Sequence, residues 1–257
     1  MFVTTAGRAD PESIAKARQT AAQLQISYIP RLKRSVTQLQ KIYGGDCLVV
    51  GKDRLDLYKE FRQEPFFFHP NVAMLRIKRL LKGEEDPYIS ASGLQSGSTV
   101  LDCTLGLGAD AVVASFVTGV NGKVCGIEEN PLLAYIVKNG LETYHSGTKV
   151  IDQVLRRIEV TTSSHLDVLK TCDDNSFDVV YFDPMFEESI TESNGIRPLT
   201  YFASANDLTE EIIGHAKRVA RQRIVLKDHF RSQRFGRFSF QVIVRKTSKF
   251  HFGYIEA

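Results

Sequence analysis

The sequence predicts an α/β protein whose larger part is a mostly parallel, seven-stranded sheet with a C-terminal antiparallel hairpin, preceded by a small α+β N-terminal domain. Three observations lead to this prediction. Short β-like runs recur from residue 98 onward, helix-like segments lie between most of them, and only residues 245–249 separate the last two runs. Strands that alternate with helices form parallel sheets, whereas a short connection joins antiparallel neighbours.

The N-terminal domain is expected to span residues 1–82. Its first helix should begin at Asp10-Pro11-Glu12, because Asp caps a helix, Pro suits the first helical position and Glu complements the helix dipole. The other elements predicted here are a helix over 30–42, short strands over 47–50 and 55–58, an apolar run over 66–68 and a helix over 72–81.

Residues 83–257 are expected to form the second domain, with a small, polar junction at 90–97. The predicted strands are 99–103, 123–128, 158–162, 177–182 and 223–227, followed by the hairpin strands 238–244 and 250–255. The first five alternate with helical segments and should be parallel. Their carboxyl ends therefore meet at one edge of the sheet, where ligands bind in folds of this kind.

The composition argues against several classes of protein. A chain of 257 residues that is 43% hydrophobic is long enough to bury a core and is not typical of disorder. The four cysteines form no C-x-x-C pair, and no His lies near them at ligand spacing, which favours reduced thiols over zinc sites or disulfides. No run approaches the roughly 18 apolar residues of a membrane helix, and no signal pattern begins the chain. We therefore expect a cytoplasmic protein without a membrane segment or a metal.

Positive charge is concentrated in two parts of the chain. Residues 1–82 carry 15 Lys and Arg against 7 Asp and Glu, and the segment 217–237 has eight basic residues and a single acid, with Phe230 and Phe235 interleaved. Cations bind a phosphate backbone and aromatic rings stack on bases. A solvated helical surface has the same composition, but two such regions favour a polyanionic partner.

A glycine-containing turn follows the first strand of the second domain. Residues 100–111 read V-L-D-C-T-L-G-L-G-A-D-A and also satisfy the dinucleotide fingerprint G-x-G-x-x-A, with Glu128 at about the expected distance for a ribose contact. Asp110, however, falls in the first helical turn, where it would repel a pyrophosphate. Asp102 or Asp110 would suit the sulfonium and ammonium groups of S-adenosylmethionine. The charges therefore favour that cofactor over NAD.

Two further groups of polar residues follow the next strands. Glu128 is expected to accept bonds from both ribose hydroxyls, although it could instead cap the helix that opens at Asn130-Pro131. Ser164, His165 and Asp167 are placed to flank an adenine, with Asp167 accepting from its amino group. His165 could equally be a surface residue.

The stretch D-V-V-Y-F-D-P-M-F, residues 178–186, is a buried strand that ends on Asp183-Pro184-Met185-Phe186 at the same edge of the sheet. An exocyclic amine of a nucleobase is a poor nucleophile, because its lone pair is delocalised into the ring. The Asp183 carboxylate and the Pro184 carbonyl could accept both N–H bonds and favour a tetrahedral nitrogen as methyl transfer begins. Phe186 offers a face on which the base could stack. An ordinary Asp-Pro turn is the alternative.

With these residues the chain resembles Rossmann-like class I S-adenosylmethionine-dependent methyltransferases of the D-P-P-Y type. More closely, it resembles the small-subunit ribosomal RNA methyltransferase J family, which methylates the exocyclic N2 of a guanine in 16S rRNA. The patterns D-A-T-A-G-L-G-R-D, E-R-x-P, D-G-L and V-V-Y-L-D-P-M-F of that family correspond to residues 102–110, 128–131, 139–141 and 179–186.

The resemblance implies a site for S-adenosylmethionine and a catalytic group. Cofactor contacts carry over by identity to Asp110, Glu128 and Asp183, and by alignment to Ala109, Glu129, Ser164 and His165. Asp102, Thr104, Gly106, Gly108 and Asp167 complete the predicted cofactor site, and Asp183, Pro184 and Phe186 are the predicted catalytic residues. No metal is required, because the sulfonium is already an activated methyl donor.

The chain also departs from that family. Ala109 and Glu129 each replace an arginine, and Glu187 stands where the family has proline. The resemblance covers residues 66–257 and leaves out the helical head, 1–45, and the insert 189–205. These departures bear on the substrate more than on the fold or the cofactor.

The resemblance implies N-methylation of a nucleobase, with guanine N2 in 16S rRNA as the expected target, on the rRNA or the 30S subunit. The N-terminal domain and the segment 217–237 would bind the RNA, and Lys227 would contact the extruded nucleotide or a phosphate, or would be a surface lysine. Three alternatives stay open: a methyltransferase acting on DNA adenine, a protein amide or a small molecule; a catalytically silent RNA-binding protein with the same fold; and a nicotinamide oxidoreductase.

Overall fold

The computed structural model describes residues 1–184, 197–202 and 207–257. The chain divides into two compact units, one made of residues 1–69 and 193–202 and the other of residues 70–192 and 203–257. The division falls after residue 69, so the segment 70–82, expected in the N-terminal domain, lies in the second unit.

The first unit is built on a four-stranded sheet with the strand order β2-β1-β3-β4. β1 (Phe2–Thr5) lies between β2 (Ser27–Tyr28) and β3 (Cys47–Val50) and is parallel to both, while β4 (Leu55–Tyr58) is antiparallel to β3. The sequence did not predict β1. All four of its residues are buried, so it lacks the alternation that identifies a half-exposed strand.

Among the residues that the structure describes, three helices belong to the first unit: α1 (Pro11–Gln23), α2 (Val36–Tyr43) and α9 (Arg197–Thr200). α1 begins as predicted, because the Asp10 carboxylate accepts the Ser13 N–H at 2.7 Å. α2 begins later than the predicted position 30. Its start is set by a capping box between Ser35 and Gln38. The apolar run 66–68 does not form a strand and contributes an isolated bridge between Phe66 and Leu57.

The second unit contains a seven-stranded sheet with the order β10-β11-β9-β8-β5-β6-β7. Its strands are β5 (Thr99–Asp102), β6 (Lys123–Glu128), β7 (Ile158–Thr162), β8 (Phe177–Phe182), β9 (Ala220–His229), β10 (Gln241–Ile243) and β11 (Phe250–Glu256). β5 to β9 are parallel, and β11 runs antiparallel to both β9 and β10. The predicted fold class, a mostly parallel seven-stranded sheet that ends in an antiparallel hairpin, is confirmed.

Helices cover this sheet. They are α3 (Asn71–Leu80), α4 (Pro87–Ser92), α5 (Ala109–Thr118), α6 (Pro131–Thr143), α7 (Lys149–Arg156), α8 (His165–Thr171), α10 (Glu210–Val219) and α11 (Arg234–Arg237). α4 extends into the segment 90–97, which was predicted to be a junction. The helix forms because the Asp86 carboxylate caps it by accepting the Tyr88 N–H at 3.0 Å.

The C-terminal strands differ from the prediction in their bounds. β9 is longer than 223–227, and β10 is shorter than 238–244 because the chain before it forms α11 and a turn. Phe235, Phe238 and Phe240 are buried in the core beside β9. The apolar pattern that begins at Phe238 was interpreted as a strand, although Phe238 and Phe240 lie in a turn between α11 and β10.

The order of the strands locates a crevice. From β5 the chain passes outward through β6 and β7, and it then returns to the other side of β5 to form β8 and β9. The direction of winding therefore reverses at β5, and ligands bind at the carboxyl ends of the strands at such a point.

Two findings on the described residues concern membrane helices and the state of the cysteines. None of their helices is long and apolar enough to cross a membrane. The four cysteines are free thiols, and burial raises the pKa of Cys47 and Cys125 to about 12, which keeps both protonated.

Candidate active site at the carboxyl edge of the sheet

The turn after β5 is held by hydrogen bonds from its own residues. The Asp102 carboxylate accepts the Thr104 N–H at 3.0 Å, and the Thr104 hydroxyl accepts the Asp183 N–H at 2.6 Å. Gly106 and Gly108 have φ angles of 50° and 72°, in the left-handed region that residues with a side chain rarely adopt. The glycines therefore permit the sharp turn that leads into α5.

Glu128 closes one side of this turn. Its carboxylate accepts the Gly106 N–H at 3.2 Å and the Asn130 N–H at 2.9 Å, and burial raises its pKa. The cap of α6 is Asn130, whose side chain accepts the Leu132 N–H at 2.9 Å. Glu128 is therefore placed beside the glycine turn and does not serve as the helix cap, which was the alternative that the sequence left open.

The residues after β7 form a capped helix start. The Ser164 hydroxyl accepts the Asp167 N–H at 3.1 Å and donates to the Asp167 carboxylate at 2.7 Å. His165 is half-buried, with its ring edge-on to Phe182 at a centroid distance of 5.9 Å, and burial lowers its pKa. Glu129 is exposed. Contacts of these residues with an adenine stay a prediction.

Asp183 and Lys227 form an ion pair at the end of β8. Phe182 is opposite Leu226 in the register of β8 and β9, so the next residues of the two strands are brought side by side. Lys227 Nζ lies 2.5 Å from Asp183 Oδ2 and 3.3 Å from Asp110 Oδ2, and the Lys227 side chain is only 18% exposed. Lys227 is thus a largely buried partner of two carboxylates, so the alternative of a surface lysine is wrong, while its contact with a nucleotide stays a prediction.

Asp110 lies at the centre of a wider charge network. Its Oδ1 accepts from Arg76 Nη1 at 2.5 Å, and its Oδ2 accepts from the Tyr181 hydroxyl at 2.9 Å. Arg76 also donates through Nε and Nη2 to the two Asp86 oxygens, both at 2.8 Å. Arg76 and Lys227, together with hydrogen bonds from Arg76 and Tyr181, hold the pKa of Asp110 well below its usual range despite its burial. Contact between Asp110 and the cofactor is not tested by this geometry and stays a prediction.

Arg76, Asp86 and Tyr181 were not among the predicted site residues. Arg76 is a single basic residue on a helix that carries several, and its role depends on α3 lying beside α5. The sequence contained one usable signal, the polar hydroxyl of Tyr181 within the apolar run that precedes Asp183.

Burial makes two of the carboxylates at this edge weaker acids. It raises the pKa of Asp102 to about 8 and that of Asp183 to about 6, the latter despite the opposing charge of Lys227. Tyr88 lies close by, with its ring 4.6 Å from that of Tyr181, and its buried hydroxyl has no hydrogen-bond partner among the described residues. Burial raises the pKa of the Tyr88 hydroxyl, and the nearby Asp102 carboxylate contributes to the same shift.

The carboxylates at this edge of the sheet fit a cofactor that carries positive charge and hydroxyl groups. The Glu128 carboxylate lies beside the glycine turn and has no cationic partner among the described residues, so a diphosphate there would meet its charge. The unpartnered Tyr88 hydroxyl is a further buried polar group that a ligand could satisfy. Pro184 is buried directly after Asp183, while Met185 and Phe186, and with them the predicted stacking face, lie outside the described residues.

Most basic residues of the segment 217–237 are bound within the protein. Arg221 pairs with Asp178 at 2.6 Å and Arg223 with Glu256 at 2.9 Å. Arg218, Lys227 and Arg234 likewise pair with Asp174, with Asp110 and Asp183, and with Asp207 and Asp228. The excess of positive charge in this part of the sequence therefore largely balances acids in the fold.

Comparison with known proteins identifies relatives over the whole chain. A family model described as "Putative SAM-dependent methyltransferase" matches residues 35–251. A Bacillus subtilis protein named "Uncharacterized protein YpiP" is 46% identical over 255 residues, which cover 99% of each chain.

Two further matches are more distant. Ribosomal RNA small subunit methyltransferase J of Coxiella burnetii is 32% identical over 150 residues, which cover 56% of this chain and 56% of that relative. The crystal structure of the SAM-dependent methyltransferase NGO1261 from Neisseria gonorrhoeae matches with a TM-score of 0.64 and 17% identity, covering 100% of this chain and 96% of the other. At that identity the structural match bears on the fold alone.

Proposed function

The chain belongs to the family of SAM-dependent methyltransferases, with S-adenosylmethionine as its cofactor, and from this we propose that it methylates the exocyclic amine of a nucleobase in RNA. The most specific form of the proposal is N2 of a guanine in 16S rRNA. Its support is the partial similarity to ribosomal RNA small subunit methyltransferase J and the chemistry of the residues at the end of β8. Such a substrate would place the reaction in the cytoplasm.

We assign the cofactor site to the carboxyl ends of β5, β6 and β7. Glu128 would accept the ribose hydroxyls, Asp102 would face the ammonium group, and Asp167 would accept from the adenine amine. When bound, S-adenosylmethionine supplies a methyl group already activated by its sulfonium. The other proposed contacts are Thr104, Gly106, Gly108, Ala109, Asp110, Glu129, Ser164, His165 and Asp183.

The observation that carries the proposal is the position of the Asp183 carboxylate. Lys227 occupies its Oδ2 and Thr104 accepts its backbone N–H, so the side chain is fixed while Oδ1 has no hydrogen bond among the described residues. Oδ1 could accept one N–H of an exocyclic amine, and the Pro184 carbonyl could accept the other. Acceptors fixed before the reaction stabilise the positive charge that develops on the nitrogen during transfer without further reorganisation.

The target base would have to leave its stack to reach this carboxylate. Extrusion costs a few kcal/mol, and contacts with the RNA backbone would offset it. Phe186, the third predicted catalytic residue, would supply the stacking surface.

Mass spectrometry of nucleosides from the small-subunit rRNA of cells with and without the gene tests the proposal. We expect one N2-methylguanosine to disappear on deletion and to return with the wild-type gene. The Asp183→Ala variant should not restore it, because the amine would lose its acceptor. Circular dichroism would establish that this variant folds, and calorimetry with S-adenosylmethionine would separate the loss of the amine acceptor from the loss of a cofactor contact.

An unchanged nucleoside profile would overturn the assignment to 16S rRNA. Transfer of radiolabelled methyl groups to matched RNA, DNA and protein substrates would then identify the acceptor class. A protein that binds RNA but transfers no label to any of these substrates would instead be a silent binder.

A further inference from the structure

We infer that an exposed basic and aromatic surface next to Asp183 binds the RNA strand beside the target nucleotide. The surface consists of Phe230, Arg231, Arg245, Lys246 and Phe250, and is called the hairpin patch below. The inference rests on the proposed function, because it assigns the surface that would hold that substrate.

The patch is held together by contacts between the end of β9 and the hairpin of β10 and β11. The Phe230 N–H donates to the Lys249 carbonyl at 3.1 Å, and the buried His251 lies between the two sides. The His251 ring centre is 6.1 Å from that of Phe230, and its Nε2 is 3.3 Å from the Arg245 carbonyl oxygen. These contacts hold Phe230 and Arg245 beside β11, while Arg231 and Lys246 follow them directly in the chain.

Two of the patch's cations lie over its two aromatic rings. The Arg231 guanidinium is 5.0 Å from the centre of the Phe230 ring, and the Arg245 guanidinium is 4.8 Å from that of Phe250. Phe230 is 44% exposed although it is a large apolar residue. A ring with an adjacent guanidinium can stack on a base while the cation meets a phosphate, which is the usual combination in proteins that bind single strands.

The patch borders the proposed reaction centre. Lys227 Nζ, which bonds to Asp183, is 5.2 Å from the centre of the Phe250 ring. One ammonium group therefore separates the patch from the carboxylate proposed to bind the target amine. A nucleotide next to the extruded one would lie within reach of these side chains.

The charge of the patch is not balanced by the fold. Among the described residues, Arg231, Arg245 and Lys246 form no ion pair with an acid, in contrast to the paired cations of the segment 217–237 described above. Exposed Arg231 and Lys246 remain available to phosphates. This patch is therefore a part of the second unit that suits a polyanion.

The test compares three proteins: the wild type, the patch variant Arg231→Gln/Lys246→Gln, and the control variant Lys138→Gln/Lys149→Gln. The control removes the same charge from two exposed lysines on helices α6 and α7, which lie outside both the patch and the segment 217–237. Fluorescence anisotropy with a labelled 20-nucleotide single-stranded RNA of mixed sequence, over a range of KCl concentrations, measures binding. A DNA duplex of the same length is the comparison probe, and calorimetry with S-adenosylmethionine checks the fold.

We expect the patch variant to bind RNA about tenfold more weakly, and the slope of log affinity against log salt to fall by about 1.4, since each phosphate contact with a single strand contributes about 0.7. The control variant should match the wild type, and all three should bind the cofactor equally. A Phe230→Leu variant, which keeps an apolar side chain but removes the ring, should also weaken RNA binding several-fold.

The outcomes separate this inference from the proposed function. If the wild type methylates RNA but the patch variant binds the probe like the control, only the inference about the patch fails. If the wild type neither binds nor methylates RNA, the proposed function fails and the patch inference with it. If the wild type binds the DNA duplex more tightly than the single-stranded RNA, RNA is not the ligand of the hairpin patch.

Discussion

At the scale of single residues, Lys227 balances the charge of two carboxylates in the described site. Its ammonium group is shared by Asp110 and Asp183, and little of its side chain reaches solvent. Removing one member of a buried ion pair leaves the other charge without compensation, which typically costs about 3–5 kcal/mol. Lys227 is accordingly a positioning residue whose loss should affect both stability and activity.

We expect Lys227→Met to lower the free energy of unfolding by about 3 kcal/mol at neutral pH, because Asp183 and Asp110 lose a shared cation. Urea denaturation measures this. The double variant Lys227→Met/Asp183→Asn should be more stable than Lys227→Met alone, since it removes one of the uncompensated charges. Strictly additive effects in this double-mutant cycle would contradict a direct interaction between the two side chains.

The pKa of Asp183 predicts a pH profile. Burial raises this pKa to about 6, and the ionised carboxylate is the proposed acceptor. The protonated form predominates below that value, so kcat at saturating cofactor should fall about tenfold for each pH unit below 6 and level off above it. Single-turnover methyl transfer between pH 5 and 8 measures the profile. The Asp183→Asn variant should lack this inflection; the same inflection in the variant would assign it to another group.

The sequence indicated the residues whose chemistry is visible in isolation. Asp183 follows an apolar run, and Glu128 ends a strand and lies next to Gly106 in the structure. Arg76 and Asp86 could not be predicted as site residues, because their bonds join α3 and the start of α4 to α5. Such contacts depend on packing between helices that sequence periodicity does not encode.

At the scale of elements, β8 is fixed at its amino end by Asp178. This carboxylate accepts the Thr99 N–H at 2.7 Å and pairs with Arg221 Nη1 at 2.6 Å, which joins β8 to both β5 and β9. Burial works against ionisation, but the bonds from Thr99 and Arg221 lower the pKa of Asp178. Asp178 thus stabilises the sheet at the edge opposite to the proposed reaction.

We expect Asp178→Asn to lower the free energy of unfolding by about 1–3 kcal/mol at neutral pH and to leave kcat within about twofold of the wild type. A group whose pKa is lowered by folding stabilises the protein above its unfolded pKa of about 3.9, and that contribution disappears as the pH falls through the folded value. The difference in stability between variant and wild type should therefore shrink below about pH 4. A constant difference from pH 7 to pH 3 would argue against the charge as its cause.

The regular strands of the second unit were predicted closely, and the irregular ones were not. The bounds of β6, β7 and β8 agree with the sequence pattern. β6 and β8 are largely buried and appear as apolar runs between helices, whereas β7 is an edge strand whose apolar residues Ile158 and Val160 alternate with exposed ones. The segment 238–244 was misassigned in part, since Phe238 and Phe240 fill the core from a turn. Short buried segments of this kind carry the same apolar signal whether they form strands, helices or loops.

At the scale of the whole molecule, the proposed site lies within the second unit, at the ends of strands that are distant in the sequence. We expect S-adenosylmethionine to slow amide hydrogen exchange in segments 103–110, 128–130 and 163–167 and at Asp183. Exchange in the four-stranded sheet of the first unit should be unchanged. Mass spectrometry of peptides exchanged with and without the cofactor measures both, and protection confined to the first unit would refute the assigned site.

The charge pattern of the molecule was the least reliable guide to its surface. The segment 217–237 suggested a contact with a polyanion, but its arginines and lysines mostly pair with acids that come from other elements. Composition gives the number of charged residues but does not show which of them form ion pairs within the fold. Only the tertiary structure distinguishes cations that balance the fold from those left for a ligand.

The two ends of β8 also constrain how such a protein can evolve. Asp178 and Asp183 are each bound to a cation of β9, Arg221 at one end and Lys227 at the other. The gain or loss of one residue within this strand would break at least one of these pairs, so its length is held constant by both. New acceptor specificities are therefore expected to arise by changes outside this strand and not by changes in its length.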